Sequence, residues 1–253
     1  MDDALSRLFR SQHWVAAERQ LRAHGVTWEQ QRGLLRRGRL VRSSPGVVTL
    51  AGAPNTWEQR AMAATLGTKG LVLLDAGAAA RLNRLDGHQT DGQLVVVAPC
   101  GTSVRCADDV IVSRSRRLSA KDRHVVNRIP VTTVPVTLVR LAALGLDPAH
   151  ALDSALRRRA SPRWLRENFE RWQGHGVSGP ARCLQLLDDR MGKRLPRSWF
   201  QRLAHRALSE HGIAMEEEWP VRDADGRLLA DLDRMDDVLA DLRLALDRAA
   251  GEP

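Results

Sequence analysis

Tyrosine is absent from this 253-residue chain, and phenylalanine and cysteine occur three times each. Lysine is equally scarce. Lys69, Lys121 and Lys193 are the only lysines among 39 basic residues, so arginine carries the positive charge. No apolar run approaches the roughly 18 residues that a membrane helix needs. The longest runs, Gly70–Leu74 and Leu94–Pro99, are strand-sized, and no membrane association is expected. The opening Met1-Asp-Asp-Ala-Leu-Ser has no charged lead before an apolar stretch, so no secretory signal is expected. Cys100, Cys106 and Cys183 are an odd set without metal-ligand spacing. Together these features predict a reduced, cytoplasmic protein with no bound metal. The histidines are scattered, with no His-x-x-x-His pair. There is no Gly-x-Ser-x-Gly and no glycine-rich phosphate loop. Serine-hydrolase, kinase and dinucleotide chemistry therefore have no support, and no cofactor is expected.

What is present suffices for a folded core: 43% of residues are apolar and 27% charged. The charge is segregated. Residues 1–56 carry nine bases and four acids, 57–130 eleven and seven, and 131–212 fourteen and seven. Residues 213–253 reverse the balance, with five bases and twelve acids. A basic body with an acidic tail fits either an anionic partner for the body or a solvated surface with an acidic end.

Residues 1–52 predict three short helices and a hairpin. Leu5, Leu8 and Phe9 have helical spacing, and Trp14, Val15 and Leu21 anchor a second helix that Gly25 closes. Thr27 with Gln30 forms a capping box that opens a third helix, running to about Arg37 and stopped by Gly38. Two β-prone runs then flank Ser44-Pro45-Gly46 between Leu40 and Leu50. This is the order of a winged helix-turn-helix, in which the third helix enters the major groove of duplex DNA and the hairpin lies along the backbone. The candidate DNA-binding residues are Trp28, Arg32, Arg36 and Arg37 on the helix, with Arg39 and Arg42 flanking the first wing strand. Arg32 and Arg36 are four apart and share a face. Arginine can bridge a guanine edge or neutralise phosphate.

The rest of the body predicts a mixed α/β segment over 53–134: a helix at 57–69, strands near 71–74, 93–98, 110–113 and 124–126, and an alanine-rich helix opened by Asp75. Past residue 134 the pattern turns helical, with helices at 135–144, 148–158, 161–172, 179–190 and 197–210. The expected architecture is thus α+β. Its segments are the winged helix at 1–52, the α/β segment at 53–134, a helical region at 135–212 and an acidic tail at 213–253. Arg157–Arg159 with Arg163 and Arg166, and Arg190 with Lys193, Arg194 and Arg197, form two further basic clusters. Each fits either DNA phosphates or the dipoles of helix ends.

Three stretches, Gly25-Val-Thr, Leu34-Leu-Arg-Arg-Gly-Arg-Leu-Val-Arg and Pro45-Gly-Val-Val, resemble the N-terminal winged helix of AbiEi-type antitoxins from type IV toxin–antitoxin systems. Ile129-Pro-Val-Thr-Thr-Val-Pro-Val-Thr-Leu-Val-Arg-Leu-Ala142 and Ala151-Leu-Asp-Ser-Ala-Leu-Arg-Arg158 resemble later motifs of the same proteins in actinobacteria. The resemblance spans most of residues 12–230. Gln31 departs from it, standing where the family tends to place an apolar residue. The resemblance implies a DNA-binding regulator that represses its own promoter or antagonises a cognate protein toxin.

It also implies a restriction-endonuclease-like C-terminus. Trp219–Asp231 resembles the first hairpin of that domain, with Asp223–Gly226 as its turn, and Asp231 and Asp247 fall near two of its acids. The other parts are missing. Ser198-Trp-Phe-Gln201 replaces the helix glutamate, and no lysine follows Asp247. Leu232, Met235, Leu239, Leu242 and Leu246 also repeat at helical spacing. A metal-dependent endonuclease is the rival expectation, an interaction module for a toxin the third, and no catalytic residue is assigned.

Overall fold

The computed structural model describes residues 3–88, 93–174, 179–191, 221–222 and 228–230, and the chain is α+β. It divides into two units, Met1–Gln201 and Arg202–Pro253. In the second unit β9 (Val221–Arg222) and β10 (Leu228–Ala230) pair antiparallel, as the expected hairpin requires. The helix at 197–210, Asp231, Asp247 and the leucine stripe lie outside the described residues, as do Lys193, Arg194 and Arg197.

The first unit opens with α1 (Asp3–Ser11), β1 (Val15–Ala17), α2 (Glu18–Ala23), α3 (Trp28–Arg36), β2 (Leu40–Ser44) and β3 (Val47–Leu50). One expectation is corrected here: Trp14 and Val15 do not belong to the second helix. His13 and Trp14 have positive φ (54° and 67°), which ends helical geometry. Val15–Ala17 then pairs antiparallel with β3, giving a sheet of order β1-β3-β2. Helix α2 starts only at Glu18, and its Gln20 side chain returns to the Ala17 amide at 2.8 Å. Gly25 (φ +81°) closes α2, with the Val26 amide reaching Leu21 O at 3.0 Å. Gly38 (φ +65°) does the same for α3.

Alternation along this small sheet serves two cores. Ala16 and Val48 face Leu5, Phe9, Leu21 and Leu40. Val15 and Val47 face the other way, into a core shared with α4 (Trp57–Leu66). Residues 1–52 are therefore welded to the segment that follows.

That segment is a five-stranded mixed sheet of order β6-β5-β4-β8-β7. Its strands are β4 (Leu73–Leu74), β5 (Val95–Pro99), β6 (Ile111–Ser115), β7 (Arg123–Val126) and β8 (Ile129–Thr132). Leu74 and Val96 point towards α4, whereas Leu73 and Val97 point towards the helical layer. Two positive-φ residues, Asn127 and Arg128, make the two-residue turn between β7 and β8. Helix α5 (Ala76–Leu82) follows β4, and α6 (Val134–Ala143), α7 (Ala149–Arg157), α8 (Pro162–Trp172) and α9 (Gly179–Asp188) complete the layer around Leu138, Leu152, Leu165 and Phe169. Gly179 permits close approach there: a Cβ on it would stand 2.3 Å from Val139 O.

The cysteines report on this packing. Burial pushes the Cys183 thiol up to about 12 and also raises Cys106, while Cys100 is exposed. Only a thiolate alkylates, so Cys100 should react first in the native protein at about pH 8, and Cys183 only after unfolding. Peptide mass mapping over time checks this order; equal rates at Cys100 and Cys183 would contradict the buried position of α9.

Candidate nucleic-acid interface

Helix α3 is fixed at both ends by local hydrogen bonds. The Gln30 amide donates to Thr27 Oγ1 at 3.2 Å, and the Thr27 amide donates to Gln30 Oε1 at 2.8 Å. This is the expected capping box. Gln31 is buried, and its Nε2 donates to Val26 O at 3.0 Å and Glu18 O at 3.4 Å. A polar residue at this core position thus ties α3 to the start of α2 and to the loop between them. Leu34 and Leu35 pack against the small core.

The six candidate residues are all exposed: Trp28, Arg32 and Arg36 recur every four positions along α3, Arg37 and Arg39 lie in the turn after it, and Arg42 stands on β2. Trp28 is 49% exposed at the first turn of α3. Arg32 and Arg36 have no side-chain partner among the described residues, and neither has Arg39. Two candidates differ from this. Arg37 folds back over Gly33, its Nη2 lying 3.3 Å from where a Cβ there would stand. Arg42 is paired with Glu18 at 3.4 Å.

The hairpin tip is not free, which the sequence does not foretell. Gly46 O accepts from the Glu18 amide at 2.8 Å. A Cβ on Gly67, just past α4, would meet Pro45 O at 3.2 Å and Arg105 O at 2.4 Å. The tip therefore rests against the end of α4 and the loop after β5. Beside it opens a cleft of about 590 Å³ lined by Glu18, Arg19, Arg22, Gly46, Thr68, Lys69, Ser103 and Arg105, among others. Arg19 is held there by Leu66 O at 2.6 Å. Burial lowers its pKa from the ordinary value, but a guanidinium stays charged at neutral pH.

No family model and no curated protein matches this chain. Among solved structures it is similar to the crystal structure of the RV2827C protein from Mycobacterium tuberculosis. The TM-score is 0.43 at 19% identity, over 88% of this chain and 85% of that one. A likeness this distant carries neither a fold nor a function across.

The basic clusters of the helical layer have a different character. Arg157 pairs with Asp86, Arg166 with Asp188 and Arg190 with Asp153, and Arg163 reaches Glu167 at 2.8 Å. Arg158 donates to Asn83 O at 2.7 Å and Arg84 O at 3.0 Å, capping the end of α5. These arginines are engaged within the protein, by acids or by main-chain carbonyls. Among the described residues no group of three or more His, Cys, Asp or Glu could hold a metal ion. No helix among them is long and apolar enough to cross a membrane.

Proposed function

We propose that this chain is a DNA-binding transcriptional regulator of the type IV antitoxin kind, acting at its own promoter or against a toxin. On this reading residues 1–52 are a winged helix-turn-helix, with α3 as the major-groove helix and β2–β3 as the wing. The observation that carries it is the contrast in arginine use. Arg32, Arg36 and Arg39 stand exposed and unpaired among the described residues on a capped helix and the turn after it, whereas Arg157, Arg166 and Arg190 of the helical layer are paired with acids. Leaving side chains unpaired on one face is what a surface kept for phosphates or base edges requires.

Fluorescence anisotropy of the full chain with a labelled mixed-sequence duplex is the test. Binding should be measurable at about 50 mM salt and fall by orders of magnitude towards 200 mM, because neutralised phosphates release their counterions. Absence of affinity at low salt would refute the proposal.

A further inference from the structure

The cleft beside the hairpin tip is a strongly charged concavity that the proposed function leaves unused. Its lining has four bases, Arg19, Arg22, Lys69 and Arg105, against one acid, Glu18. That acid is already countered, since Arg42 lies 3.4 Å from its carboxylate. Arg22, Lys69 and Arg105 are exposed and form no ion pair among the described residues. Thr68, Thr102 and Ser103 line the same space. The walls are braced: Thr68 Oγ1 accepts from the Arg105 amide at 2.9 Å, and Arg19 bridges to Leu66 O and Thr68 O. Convergent cations, open to solvent, are the chemistry of a phosphate-binding surface.

The position of the cleft says which phosphate. Glu18 joins it to the hairpin, because its carboxylate pairs with the exposed Arg42 of β2. Gly46 of the hairpin turn forms part of the lining. A duplex lying along β2 and the hairpin turn would therefore meet this cleft next.

We infer that the cleft formed by Arg19, Arg22, Lys69 and Arg105 is a second phosphodiester site, by which the segment after the hairpin grips the DNA backbone beyond the footprint of α3 and the wing. This rests on the proposed DNA-binding reading and extends its surface to residues 66–69 and 102–105. The cleft touches no base, so it adds affinity without sequence preference.

The experiment compares the full-length wild type with Lys69→Ala/Arg105→Ala and with Arg32→Ala/Arg36→Ala on a mixed-sequence duplex of about 30 base pairs, roughly three helical turns. Lys69 and Arg105 are exposed, so the first variant should keep the wild-type melting temperature, which is checked first. For each phosphate no longer neutralised, the slope of log affinity against log salt should flatten by about 0.9 and binding should weaken on the order of tenfold near 0.1 M salt. The weakening should be the same for duplexes of different sequence. Wild-type affinity and slope in Lys69→Ala/Arg105→Ala, with binding weakened in Arg32→Ala/Arg36→Ala, would overturn the cleft and leave the proposed function standing. Absence of binding by the wild type would overturn both. Saturable binding of inorganic phosphate that the cleft variant no longer shows, with its DNA affinity unchanged, would make this a small-anion pocket and overturn the DNA assignment.

Discussion

Replacing Arg32 and Arg36 together by alanine should weaken duplex binding by about 1–3 kcal/mol for each of the two that reads a base. If both do, that is on the order of tens to tens of thousands of times in affinity. The two side chains project from one face of α3, four residues apart, and neither is paired with an acid among the described residues. Their removal disturbs no internal pairing, so stability should change by no more than about 0.5 kcal/mol. Weaker binding then reports on the DNA surface rather than on the fold. Sequence dependence separates the two roles an arginine can take. Removing an arginine that reads a base relaxes preference at one position. Removing one that neutralises a phosphate weakens all duplexes alike and lowers the salt slope by about 1. Arg37→Ala is the internal comparison. Because Arg37 lies back along α3 over Gly33, its removal should cost less than that of Arg32 or Arg36. Titration of each variant against duplexes with single substitutions measures all of this. An Arg32→Ala/Arg36→Ala protein that binds like wild type would remove α3 from the interface.

Arg140→Ala should be among the most destabilising single changes in the chain. Asp75 is fully buried at the junction of β4 and α5, and Arg140 of α6 reaches its Oδ2 through Nε at 2.8 Å and Nη2 at 2.8 Å. The same Nη2 donates to Ser113 Oγ at 2.8 Å, and that hydroxyl lies 3.1 Å from Asp75 Oδ2. One ion pair thus joins β4, β6 and α6. Asp75 Oδ1 has no hydrogen-bond partner among the described residues, so the carboxylate leans on Arg140 for its compensation. Removing one partner of such a pair leaves an uncompensated buried charge, at a cost of about 3–5 kcal/mol. For a domain of this size that is roughly 6–20 °C in melting temperature. Replacing both partners by apolar residues, Asp75→Leu with Arg140→Met, should recover much of that stability, because no charge remains to be desolvated. Thermal denaturation of the three proteins decides the matter. A shift below about 2 °C in Arg140→Ala would show that the pair does not hold these elements.

The sequence by itself determined the parts that close over a few residues. The Thr27–Gln30 capping box, the glycine stops at Gly25 and Gly38 and the turn at Pro45-Gly46 are written in short spacings, and each is formed as expected. Each rests on a hydrogen bond or a φ value that neighbours alone can set. That Trp28, Arg32 and Arg36 are exposed on α3 was legible for the same reason. Helical spacing and capping fix which side chains share the outer face.

Tertiary structure decided what depends on distant partners. Val15–Ala17 is a strand only because Val47–Thr49 supplies its hydrogen bonds, and three isolated residues carry no strand signal of their own. The arginines of the helical layer looked free for DNA until their acids arrived from afar, Asp86 at 71 positions from Arg157 and Asp153 at 37 from Arg190. The resting of the hairpin tip on Gly67 and Arg105, and with it the basic cleft, follows from packing across the core shared by β1, β3 and α4. A surface charge and a paired charge are the same letter in a sequence, and only the fold brings or withholds the partner that tells them apart.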